Sequence, residues 1–158
     1  MKYLYLFAIV AFLFASCKTA KQDRGSKAGN ISSIWVERTP CFGFCPMYEV
    51  QISADGTATL DARDHLPNKL KGKFIGKVPQ ADWENLVKLL HTLDYQNLKE
   101  TYGNRNVSDL PSVNIAIRYG KEQEKKVNDY GGRGTPELTQ FYEHIDKLVT
   151  DVKWDVAK

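Results

Sequence analysis

The hydrophobic rhythm of the chain changes along its length. Residues 3–15 form an unbroken apolar run behind Lys2. Lys18 to Asn30 is polar, without periodicity, and carries Gly25, Ser26 and Gly29. Beyond it the period becomes two. Ile34-Trp35-Val36-Glu37-Arg38 predicts a first strand. Tyr48, Val50 and Ile52 alternate with Glu49, Gln51 and Ser53, the pattern of a half-buried strand. Asp55-Gly56 is a hairpin turn signal. Ala58, Leu60 and Ala62 alternate beyond it, and Leu70 to Val78 predicts a fourth strand, interrupted by Gly72 and Gly76.

The period then becomes helical. Pro79 suits a first helical position, and Trp83, Leu86, Val87, Leu90 and Leu93 mark one buried face. Asp82 and Glu84 sit in the first turn, where the helix dipole favours acids. Tyr95 to Leu110 reads as a polar connection with Gly103, Asn104 and Asn106. Val113, Ile115, Ile117 and Tyr119 predict another strand, Gly120-Lys121 turns, and Lys125 to Tyr130 pairs back. After Gly131-Gly132-Arg133-Gly134, Thr135 is a natural cap and Pro136 a natural first position. Leu138, Phe141, Tyr142, Ile145, Leu148 and Val149 make the second amphipathic helix. The order ββββ-α-ββ-α predicts an α+β domain, a single antiparallel sheet of about five to six strands with both helices on one face. Strand and helix never alternate regularly, which excludes a doubly wound dinucleotide fold.

The apolar run of residues 3–15 is too short to span a bilayer, which takes about 20 residues. A basic start and small residues at its end mark a secretory signal. Phe14-Ala15-Ser16-Cys17 resembles the lipobox of bacterial lipoproteins. That resemblance implies that residues 1–16 are removed and that Cys17 is lipidated, with acyl chains such as palmitate. Two or more acyl chains hold a protein on a membrane stably. Residues 17–30 are then the lipidated cysteine and a flexible tether, and 31–158 a single domain. Lys18, where some bacteria use aspartate to retain a lipoprotein in the inner membrane, points to the outer membrane, facing the periplasm.

The whole chain holds 22 Lys+Arg and 19 Asp+Glu. Loss of residues 1–16 removes Lys2 and leaves 142 residues with 21 basic and 19 acidic side chains. That length suits one domain, and so even a balance argues against a nucleic-acid partner.

Thr39-Pro40-Cys41-Phe42-Gly43-Phe44-Cys45-Pro46 carries the most distinctive chemistry. Two cysteines in an oxidising compartment predict a disulfide, worth about 2 kcal/mol for so short a loop. Two other readings stay open. Small rings can make reducible, redox-active disulfides, although the C-x-x-C spacing of thioredoxin-like enzymes is missing. Cys41, Cys45 and Met47 offer soft sulfur ligands suited to Cu(I). His65, His91 and His144 are scattered, so neither a metal nor a cofactor is expected. No G-x-S-x-G, G-K-[ST] or H-E-x-x-H occurs, so no enzyme is expected. Gly131 to Gly134 reads as a permissive turn rather than an anion cradle. Phe42 and Phe44 are candidate contact residues. The acidic–aromatic pair Asp129-Tyr130 is a second candidate binding feature.

Arg38-Thr39-Pro40-Cys41-Phe42-Gly43-x-Cys45-Pro46, Tyr48, Asp55-Gly56-Thr57, Asp109-Leu110-Pro111 and Asp129-Tyr130-Gly131-Gly132 resemble a family of uncharacterised bacterial domains. The likeness spans roughly Ile34 to Trp154, and its C-F-G-x-C-P signature is fairly specific. Many members are exported proteins or lipoproteins. The family is known only as a domain of unknown function, so the resemblance implies one domain with a two-cysteine loop and no activity. The expected role is a non-catalytic, membrane-anchored envelope module that binds another envelope protein or a cell-wall or glycan component. The alternative is a thiol-redox or copper-handling protein that uses Cys41 and Cys45.

Overall fold

One row of side chains shows how the sheet is assembled in the computed structural model, which describes residues 30–157. Val36 lies between Val50 and Ile115; Leu60 and Phe74 continue the row beyond Val50, and Val127 continues it beyond Ile115. The strands behind this row are β1 (Ile31–Arg38), β2 (Met47–Ser53), β3 (Thr57–Asp64), β4 (Gly72–Lys77), β6 (Ser112–Tyr119) and β7 (Gln123–Tyr130). Two short strands, β5 (Thr101–Tyr102) and β8 (Trp154–Val156), flank them. The sheet order is β5-β7-β6-β1-β2-β3-β4-β8, with β1 central.

Alternation delivers one apolar face, and both helices cover it. Helix α1 (Gln80–Thr92) buries Trp83, Leu86 and Leu90, and α2 (Pro136–Asp151) buries Leu138, Phe141, Tyr142, Ile145, Leu148 and Val149. These side chains join those of the sheet in one cluster that runs from Ile31 to Val149, so the described unit contains its own core. Thr135 caps α2, its hydroxyl accepting from the Leu138 amide at 3.1 Å, with Pro136 at the start as predicted. The opposite face stays open, as antiparallel sheets allow. A polar ladder crosses it: Arg105 donates to Asn128, Asn128 to Asn114, Asn114 to Glu37, and Arg63 joins Glu37 to Glu49.

Three expectations need correction. Among the described residues the sheet has eight strands, not five to six. The element order is ββββ-α-βββ-α-β rather than ββββ-α-ββ-α. The sheet is also not wholly antiparallel, because β5 runs parallel to β7. The reason is physical. Strands of two and three residues are too short to show a period of two, and they form only because tertiary neighbours receive them. Trp154 lies over Gly76, where an added Cβ would come within 2.8 Å of the indole ring. The Trp154 ring nitrogen donates to the Val149 carbonyl at 2.9 Å. The glycine that weakens the strand reading of β4 is therefore the one that admits β8.

The expected signal of residues 1–16 and the lipidation site Cys17 lie outside the described residues, as does all of the expected tether except Asn30.

Candidate functional site

Strand register brings four connections to one end of the sheet. Arg38 lies opposite Tyr48 and Val113, Val113 opposite Asp129, and Ala62 opposite Tyr48 and Gly72. The connections 39–46, 65–71, 103–111 and 131–135 therefore emerge together. The first is pinned to β6 at its start: the Thr39 amide donates to the Ser112 carbonyl at 3.0 Å, and the Ser112 amide donates to the Thr39 hydroxyl at 2.7 Å. A disulfide joins Cys41 to Cys45, with their Cα atoms 5.9 Å apart. Inside the ring the Gly43 amide donates to the Cys41 carbonyl at 3.0 Å, with Gly43 at φ +149°, a conformation that favours glycine. The ring turns both aromatics outward. Phe42 is 94% exposed and Phe44 88% exposed. Among the described residues, the one aromatic ring that meets either is His65, edge-on to Phe44 with ring centroids 5.2 Å apart.

Beneath the loop lies a cluster of charged and phenolic groups. Arg38 donates through Nε to Asp146 at 3.1 Å and forms an ion pair with it, and the Tyr48 hydroxyl donates to the same carboxylate. The Arg38 guanidinium stands 5.5 Å above the Tyr142 ring. Tyr142 donates in turn to Asp129 Oδ2 at 3.0 Å, and the Gly134 amide donates to the same oxygen at 2.8 Å. Asp129 is 0% exposed, and its Oδ1 has no partner among the described residues. Burial, then the charge of Asp146, holds the Tyr48 phenol well above its ordinary pKa. Burial, then the charge of Asp129, does the same to Tyr142. Burial pulls Arg38 down, but Asp146 and Tyr48 outweigh it and leave Arg38 raised. Both phenols therefore remain donors and Arg38 remains a cation. This cluster clamps β1, β2 and β7 to α2.

The two halves of the Asp129-Tyr130 pair part company. Asp129 faces the core. Tyr130 faces the open side, where its hydroxyl donates to the Val107 carbonyl at 2.7 Å and accepts from the Leu110 amide at 3.3 Å. Arg105 stacks 5.2 Å from the Tyr130 ring. Tyr130 thus organises the 103–111 connection. Gly131 and Gly132 take positive φ, +94° and +63°, as a tight strand-to-helix turn requires. Among the described residues, no three His, Cys, Asp or Glu side chains gather as a metal site would need.

Cys41, Cys45, Phe42 and Phe44 sit together in space because they are neighbours in sequence. Arg38, Tyr48, Tyr142 and Asp146 escaped sequence reading as a group. Arg38 and Asp146 are 108 positions apart, and Asp146 occupies an ordinary polar position on α2. The hints in the sequence are Arg38 and Tyr48, which flank the cysteine loop.

No curated protein matches the chain. The family described as a domain of unknown function (DUF6438) matches residues 32–149 of the 158, a span that contains both the disulfide loop and the cluster beneath it, and the chain belongs to that family.

Proposed function

We propose that the protein is a lipid-anchored component of the bacterial envelope that works as a non-catalytic interaction module. The lipobox-like Phe14-Ala15-Ser16-Cys17 supports the anchor and the envelope address, and Lys18 directly after it supports the outer membrane, facing the periplasm. One observation carries the interaction role: Phe42 and Phe44 are 94% and 88% exposed on a disulfide-closed loop. Large aromatics held almost wholly in water are a cost to a soluble domain unless a partner covers them, and exposed apolar groups in a cluster mark contact sites. The charged cluster below the loop makes a platform and not a reaction centre. Its phenols are held protonated, and its most buried carboxylate is sealed from solvent.

The test places a photoreactive benzophenone amino acid at Phe44 of the full chain in living cells. Benzophenone reacts with C–H bonds of protein, lipid or glycan alike. An adduct from Phe44 with any envelope component is the expected result. Adducts from the opposite end of the sheet, at Glu122, with none from Phe44 would refute the proposed contact surface. A Cys17→Ser chain should also lose its acyl chains by mass, and unchanged acylation would refute the anchor.

A further inference from the structure

We propose that the end of the sheet bearing the disulfide loop docks on the surface of a bilayer with anionic headgroups, with Phe42 and Phe44 entering its interfacial layer. This inference rests on the reading of the domain as a membrane-anchored interaction module.

Four observations lead to it. The first is the distribution of apolar exposure. Of the exposed large hydrophobics among the described residues, Phe42, Phe44, Val107 and Leu110 belong to connections at this end, and only Ile75 and Val156 lie elsewhere, together on β4 and β8. The second is shape. The phenylalanines project almost wholly into solvent from the disulfide-closed ring. A bilayer interface closes around such a tip without a pre-formed pocket, much as it receives the apolar face of an amphipathic helix. The third is charge. The four connections contribute Lys69, Lys71, Arg105 and Arg133 against the single acid Asp109. Lys69 and Arg133 form no ion pair among the described residues, while Lys71 meets Asp64 at the end of β3. Cations that flank an apolar tip complement anionic headgroups.

The fourth is reach. The eight residues of β1 separate Ile31 from this end of the sheet, about 26 Å at strand rise. The fourteen residues 17–30 span at most about 46–50 Å when extended. A lipid on Cys17 and the tip beyond β1 can therefore rest on one bilayer. Tethering raises the local concentration of the tip at that surface, so weak insertion is enough.

The experiment uses the full lipidated chain reconstituted in vesicles of phosphatidylcholine, with or without phosphatidylglycerol. The photoreactive residue stands at Phe44 or at Glu122, on the turn beside the point where the chain enters β1. Both are exposed positions, and an unchanged thermal melt confirms the fold of each. With anionic lipid, Phe44 should give about tenfold more lipid adduct than Glu122, a ratio that corresponds to ~1.4 kcal/mol of docking preference. The yield from Phe44 should fall severalfold with Phe42→Ala, with Lys69→Glu and Arg133→Glu together, or without phosphatidylglycerol. Equal or greater yield from Glu122 overturns the proposal, because the entry end then faces the membrane. So does a Phe44 yield indifferent to lipid charge. A Phe44 adduct in cells that contains only protein overturns the lipid assignment and leaves the interaction module standing, whereas no adduct from Phe44 with any component removes both.

Discussion

Asp129→Ala should cost the domain about 3 kcal/mol. The carboxylate is wholly buried, and its Oδ2 accepts from the Gly134 amide at 2.8 Å and the Tyr142 hydroxyl at 3.0 Å. Alanine leaves both donors unpaired, the Tyr142 hydroxyl buried and the Gly134 amide part-buried, at about 1–3 kcal/mol each with the amide at the low end. Part of this is returned, because a buried carboxylate with one idle oxygen is no longer desolvated. Asp129→Asn should cost less, about 1–2 kcal/mol, since its carbonyl can replace Oδ2 while its amide nitrogen faces the unpartnered Oδ1 position. Tyr142→Phe removes a bond to a charged group, worth about 2 kcal/mol. The double variant Asp129→Ala/Tyr142→Phe should fall short of the summed losses by about 1 kcal/mol or more, because the two share one bond. Urea unfolding followed by tryptophan fluorescence, with an unchanged slope, measures all four. An alanine variant within about 0.5 kcal/mol of the parent, the range of an ordinary surface change, would refute the assignment. Strict additivity of the double variant would refute the shared bond.

Two further predictions follow from the same end of the molecule. Replacement of Cys41 and Cys45 by serine should lower stability by about 2 kcal/mol, and native mass spectrometry should find the parent two hydrogens lighter than its reduced form; a changed phenotype at unchanged melting temperature would instead favour the thiol or copper role. Stability should also fail on the alkaline side: in the unfolded chain Tyr48 and Tyr142 ionise near about pH 10, while in the fold both are held protonated above it. Their contribution is fully present below about pH 10 and is lost as pH rises through the raised folded values, at up to ~1.4 kcal/mol per pH unit for each phenol. Tyr48→Phe should shallow that limb in urea midpoints taken against pH, and an unaltered limb would show that Tyr48 does not set it.

The residues readable from the sequence were those whose cause is local. The hairpin of β2 and β3 was legible because its alternation and its Asp55-Gly56 turn are contiguous. Helix α2 was legible from its cap, its proline and its apolar spacing. The disulfide loop was legible because Cys41 and Cys45 are four positions apart. What stayed hidden depends on distant partners. β8 exists because Gly76 leaves room for Trp154, and β5 pairs with β7 through only Thr101 and Tyr102. Gly134 admits Tyr102 in the same way, since a Cβ there would lie 2.6 Å from its ring. Asp129 and Tyr130 are neighbours in sequence, but strand alternation sends them to opposite faces of the sheet. Val127 faces the core, so Asp129 does too.

The place of β1 has a mechanical consequence. The chain enters the domain at Ile31, and the loop that displays Phe42 and Phe44 begins directly after Arg38. Tension between a holder upstream of Ile31 and a partner gripping the loop therefore has one load path, the eight residues of β1. That strand is already drawn out to about 3.3 Å per residue, close to the limit of a fully extended chain. It has almost no slack to give. The pull runs along the covalent backbone of β1, so the hydrogen bonds to its antiparallel neighbours β6 and β2 hold the strand in register without carrying the load. The helices and the outer strands stay outside the force line. The domain is thus built on a taut strut with its core packed against one side, so the contact it makes can be loaded without the core being asked to open.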